Sequence, residues 1–148
     1  MRELRSERDT GRFAAELAAR LPAGSLLLLR GPLGAGKTTL IRHLARALGF
    51  GGRVTSPTYT LMHTYPTPRG ELLHVDVYRL PDAYAIYDLG FAEAREEAYL
   101  TAVEWGEPEV FPGGLEILLE PSGPQSRRVR LVAHSPELRE LAASLSAG

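Results

Sequence analysis

Apolar residues change their spacing several times along the chain, and each change marks an element. Residues 25–30, Ser-Leu-Leu-Leu-Leu-Arg, form an apolar run of buried-strand length. Residues 39–48 follow with helical periodicity. Upstream, Asp9-Thr10 predicts the cap of a first helix over 11–21, with Phe13, Leu17 and Leu21 on one face and Pro22-Ala23-Gly24 ending it. Residues 54–65, rich in Thr, Tyr and Val, read as extended with a break at Pro57. A turn over 66–70 and a returning strand over 71–77 predict a hairpin. Asp82 predicts the cap of a short helix, and residues 91–99 read as another. Strands are expected at 101–105, 115–120 and 127–133, and Pro136 opens a terminal helix with a fraying small-residue tail. Strands alternating with helices early and hairpins late predict an α/β fold, a mixed β-sheet flanked by helices.

Length and composition narrow this to one domain over residues 1–148, large enough for a single core. A net charge of −1 gives no global field toward nucleic acid or membrane. The absence of cysteine excludes disulfides, thiolate metal sites and cysteine nucleophiles. No signal-like N-terminus and no membrane-length apolar run occur, so a cytoplasmic protein without membrane contact is expected. Asparagine is absent and Gln125 is the sole glutamine, which fits a thermophilic source; a GC-rich genome would also favour Arg over Lys.

One basic residue stands apart. Lys37 is the only lysine among 17 Lys and Arg residues, and it lies in Gly31-Pro-Leu-Gly-Ala-Gly-Lys-Thr38. The segment matches G-x-x-x-x-G-K-[ST], the phosphate-binding loop, between a predicted strand and a predicted helix. Gly34 and Gly36 let the backbone curl round an anion, with Ala35 between them as a further nucleotide-binding position, and the helix N-terminus adds unpaired donors and its dipole. Lys37 is expected to reach the β- and γ-phosphates, Thr38 to ligate Mg²⁺ and Thr39 to contact the α-phosphate. The predicted fold is therefore a single P-loop NTPase-like domain. Such a site needs a carboxylate at the end of a neighbouring strand. Asp76, closing Leu72-Leu73-His74-Val75-Asp76, and Glu104, after Val103, are the candidates. His74 reads as structural rather than catalytic.

These segments carry a resemblance. The loop through Leu40, Ser56-Pro-Thr-Tyr-Thr-Leu61, His74-Val-Asp-Val-Tyr-Arg-Leu80 and Val103-Glu-Trp105 occur in this order. Together they resemble the TsaE (YjeE) family, small P-loop ATPases of bacterial tRNA threonylcarbamoyladenosine biosynthesis. The resemblance implies ATP and Mg²⁺ as cofactors, with Thr38, Asp76 and Glu104 at the metal and Lys37, Asp76 and Glu104 as catalytic residues. It implies nucleotide contacts from Ser56 or Thr58 in a switch-like loop, from Glu7 and from Arg127. A one-residue slip would exchange Arg127 with Arg128. Gly106 follows Trp105 where the family usually has proline. The implied role is slow, partner-stimulated ATP hydrolysis supporting a two-protein transferase complex of the TsaB–TsaD type. That complex modifies adenosine 37 of tRNAs reading ANN codons, so tRNA is met indirectly.

Three other readings use the same loop. A small-molecule kinase would need an acceptor pocket and a lid, for which only residues 84–95 are available. A GTPase would need Asn-Lys-x-Asp, which cannot exist in a chain without asparagine. A nucleotide-binding module nearly silent until docked differs from the ATPase only in degree. Which acid positions the attacking water stays open between Asp76 and Glu104.

Overall fold

A computed structural model describes residues 1–54 and 61–147. Seven strands form one sheet: β1 (Arg2–Leu4), β2 (Ser25–Arg30), β3 (Met62–Thr67), β4 (Gly70–Asp76), β5 (Leu100–Glu104), β6 (Leu115–Pro121) and β7 (Arg127–Ala133). Their order is β1-β7-β6-β2-β5-β4-β3. The four inner strands run parallel, with β2 between β5 and β6 and β4 beyond β5. Antiparallel pairs close both edges, β3 on β4 and β7 on β6, with β1 outside β7. The mixed α/β sheet expected from the sequence is the sheet observed.

Inner parallel strands are covered on both faces, which explains their continuous apolar runs. Leu26 to Leu29 are each at most 1% exposed, and they alternate between two cores. Leu27 and Leu29 join Leu72, Leu100, Ala102 and Ile117 under the helices α1 (Glu7–Arg20), α2 (Lys37–Ala47) and α4 (Arg139–Ala147). Leu26 and Leu28 join Leu73, Val75, Val103 and Phe111 on the other face, under α3 (Phe91–Glu97) and the 3₁₀ turns of Ala83–Leu89. Asp82 caps that 3₁₀ segment by accepting from the Tyr84 amide, as its position predicted.

Two expectations need correction. Helix α1 begins at Glu7, not residue 11, and its cap is Ser6 rather than Asp9-Thr10. The Ser6 hydroxyl accepts from the Asp9 amide at 3.2 Å, while the Asp9 carboxylate accepts from the Arg5 amide at 3.0 Å. Asp9 therefore completes a reciprocal cap from inside the first turn. Strand β1 was not anticipated. Three residues carry too little period to read, yet Arg2 is 8% exposed, paired with Glu16 at 2.6 Å and set over the Phe13 ring at 5.0 Å.

Phe13 joins β1 to α1 at the heart of the larger core, with no exposed surface. Phe13→Ala is expected to cost about 3–5 kcal/mol of stability, from lost burial and the cavity left behind. Urea denaturation measures this directly, and a loss below about 1 kcal/mol would contradict the packing described.

Candidate functional site

The parallel strands β2, β4 and β5 end side by side, and their register fixes what meets there. Leu29 pairs with Glu104, and Asp76 pairs with Glu104, so both acids emerge on the face that carries α2. The chain leaves β2 into the loop of residues 31–36 and enters α2 at Lys37. Gly31 has φ 150° and presses against the Leu119 carbonyl, so a Cβ there has no space. Gly36 is the N-cap of α2 in the left-handed region, φ 99°, where only glycine sits without strain. The first-turn amides of α2 are thereby aimed at the ends of the strands.

A cleft of about 430 Å³ opens at this point. Gly34, Gly36, Lys37, Thr38 and Thr39 form its floor, and Asp76, Glu104 and Arg127 form its walls. Leu33, Leu61, Tyr78, Arg79 and Trp105 complete the rim. Ala35 lies beneath the loop, 1% exposed, and packs on the core rather than lining the cleft.

Glu104 is the hub. Its carboxylate is 3% exposed and accepts from the Thr38 hydroxyl, whose oxygen lies 2.9 and 3.1 Å from the two carboxylate oxygens. It also accepts from His74 Nε2 at 2.6 Å. A carboxylate oxygen accepts, so the bonding assigns the imidazole hydrogen to Nε2. The other nitrogen, Nδ1, is buried without a hydrogen-bond partner among the described residues.

Lys37 is held by its own loop. Its Nζ donates to the carbonyls of Gly31 at 2.7 Å and Pro32 at 2.9 Å, and it sits 4.1 Å from the centre of the Trp105 ring. Trp105 is the one non-glycine described residue with positive φ, 65°, and its ring packs tilted against Tyr78, 4.7 Å between centroids. The turn after β5 thus places an aromatic face on the ammonium. Burial lowers the Lys37 pKa, and Glu104 and Asp76 oppose that shift. Arg127 lies against Gly36, with Nη1 buried and unpartnered among the described residues. Its neighbour Arg128 is exposed and pairs with Glu3 at 3.5 Å, which resolves the register in favour of Arg127 at the cleft.

Glu7 is off the cleft lining and binds Arg42 at 3.0 Å and His43 at 3.1 Å on α2. Those bonds hold its carboxyl below the usual range. Ser56 and Thr58 fall outside the described residues. Tyr78, Arg79 and Trp105 were not singled out as site residues; their signal was adjacency to Asp76 and Glu104.

The site fits an anionic nucleotide on its own terms. Unpaired helix-terminal amides, an ammonium and an orphaned guanidinium nitrogen converge on one cleft. Among the described residues no three His, Asp or Glu side chains are grouped to hold a metal. A cation here would therefore draw on phosphate oxygens, the manner in which Mg²⁺ is usually bound.

Asp76 gives a prediction with a definite sign. Burial raises its pKa, Glu104 adds to that rise, and the Tyr78 amide donating to Oδ1 at 2.9 Å opposes it. The folded chain therefore binds this proton more tightly than the unfolded chain, and the stability contributed by protonation is lost as pH rises through the raised pKa. Asp76→Asn is expected to raise the melting temperature at pH 7. The gain should vanish below the unfolded value of 3.8, where both states carry the proton. Melting curves across that range test it; a variant less stable than wild type at pH 7 would contradict it.

Comparison with known proteins agrees with this geometry. A family model described as "Threonylcarbamoyl adenosine biosynthesis protein TsaE" matches residues 4–129. A protein of Aquifex aeolicus named tRNA threonylcarbamoyladenosine biosynthesis protein TsaE is 40% identical over 130 residues, covering 86% of this chain and 92% of its own. Its namesake from Treponema pallidum is 40% identical over 103 residues, 70% of this chain and 76% of its own. The crystal structure of Bacillus subtilis YdiB superposes with a TM-score of 0.80 at 29% identity, covering 99% of this chain and 93% of that one. The chain belongs to the TsaE family of threonylcarbamoyl adenosine biosynthesis proteins.

Proposed function

We propose that this chain binds ATP with Mg²⁺ in the cleft between the phosphate loop and Glu104, and hydrolyses it. In tRNA threonylcarbamoyladenosine biosynthesis it acts on a two-protein transferase complex of the TsaB–TsaD type rather than on tRNA. The observation that carries this reading is the link from the Thr38 hydroxyl to Glu104 in the same cleft that Gly34, Gly36 and Lys37 of the loop line. Mg²⁺, when bound, would neutralise charge on the β- and γ-phosphate oxygens.

The residues divide the work by position. Thr38 and Glu104 are placed to hold the cation, the hydroxyl through its free lone pair while it donates to the carboxylate. Asp76 stands beside Glu104, and its raised pKa suits a group that holds or accepts a proton from water. Lys37 exchanges two loop carbonyls for phosphate oxygens, and that exchange has to be repaid by the nucleotide. Arg127 adds a guanidinium with an unused donor. A kinase reading has less support. Residues 84–95 were its only candidate lid, and Ile86 and Phe91 within them are fully buried core residues. Among the described residues no helix is long and apolar enough to cross a membrane.

Hydrolysis is expected to be slow for the isolated chain and to rise at least about tenfold when the transferase complex is added, since a supplied transition-state group is worth roughly 10³–10⁵ in related chemistry. Lys37→Ala should abolish turnover in both settings. The assay compares phosphate release with and without the complex, scoring modified adenosine over many turnovers in the same tubes. Equal rates, or modification indifferent to this chain, would overturn the proposal.

A further inference from the structure

We infer that His74 is the positioning residue for Glu104: through Nε2 it holds one carboxylate oxygen and leaves the other to face the cation. The inference rests on the nucleotide reading above and adds a residue that reading does not use. His74 lies on β4 opposite Ala102, whose side chain is a single methyl, so the imidazole can cross diagonally to Glu104 two positions further along β5. The bond is short, 2.6 Å, and both groups are shielded from water, at 0% and 3% exposed.

A space-filling role does not account for this residue. Its face of the sheet is lined by Leu72, Leu100, Ala102 and Tyr65, where an apolar side chain would pack without cost. The imidazole instead leaves Nδ1 buried without a partner among the described residues, a penalty that an aliphatic residue avoids. Its single hydrogen bond among the described residues is the one to Glu104. Thr38 cannot do this positioning alone. Its hydroxyl is shared between both carboxylate oxygens, and it moves with α2 rather than with the sheet. His74 supplies a second anchor, carried by β4 of the sheet rather than by α2. Hydrogen bonds of this kind to metal-ligating carboxylates are typically worth 10–100-fold in metal affinity.

The test measures cation affinity rather than turnover. ADP binding is followed by calorimetry over a range of Mg²⁺ concentrations, for wild type, His74→Leu and His74→Gln. His74→Leu is expected to raise the Mg²⁺ concentration for half-effect 10–100-fold, with Mg²⁺-free ADP affinity within about threefold of wild type. His74→Gln keeps an amide N–H near Nε2 and should recover most of the loss. An unchanged Mg²⁺ requirement in His74→Leu overturns the inference. So does a parallel loss of Mg²⁺-free binding, or no recovery in His74→Gln. A measurement on wild type stands should the leucine variant not fold. With ¹⁵N-histidine labelling, the His74 Nε2–H resonance should move when Mg²⁺ is added to the ADP complex, and a resonance that stays in place overturns the inference. Wild type that binds no ADP at all removes the nucleotide reading itself, an outcome distinct from the others.

Discussion

A carboxylate buried at the end of a central strand must be satisfied by fixed neighbours, and at Glu104 that demand organises the molecule. Leaving such a group unpaired would cost several kcal/mol. The parallel pairing of β4 with β5 brings His74 within reach, and the β2–α2 connection brings Thr38. One side chain therefore ties together two strands and the helix that follows the phosphate loop. A one-residue shift of register between β4 and β5 would turn His74 to the opposite face and break the arrangement.

The electrostatics of the cleft are those of a site prepared for an anion. Burial lowers the Lys37 pKa against the pull of Glu104 and Asp76, and the ammonium is occupied by loop carbonyls and the Trp105 ring. This keeps the loop closed on itself. The tight fit at Gly31 and the left-handed turn at Gly36 hold the backbone in shape meanwhile. Trp105 is forced into a left-handed conformation at the end of β5, with its amide donating to the Leu29 carbonyl at 2.8 Å. Strain of this kind at a site wall is sustained because the sheet fixes both of its ends.

Much of this was legible in the sequence, for physical reasons that differ by element. The run at 25–30 and the repeat after Thr38 gave β2 and α2 because buried parallel strands and amphipathic helices have clear periods. Arg127–Ala133 was read with its observed bounds. Strand β1 was invisible because three residues carry no period, and α1 was misplaced because Ser6 and Asp9 are both capping residues three apart. At the site, Lys37, Thr38, Asp76 and Glu104 were readable from the loop motif and the acids that end apolar strands. The His74 bond was not, since it depends on a cross-strand register that one sequence does not reveal. The hold on Lys37 was equally hidden, because it requires the position of a ring in the turn after β5. The bonds from Arg42 and His43 to Glu7 were likewise not legible, since they join the first turn of α1 to α2.

The central claim is that phosphate draws Lys37 out of its present bonds. Trp105 is the chain's single tryptophan and lies under that ammonium, so its emission reports the movement. Titrating ATP with Mg²⁺ should change the emission saturably in wild type, and leave it unchanged in Lys37→Met at nucleotide concentrations where calorimetry still detects binding. Emission that stays constant while ATP binds to wild type would contradict the account.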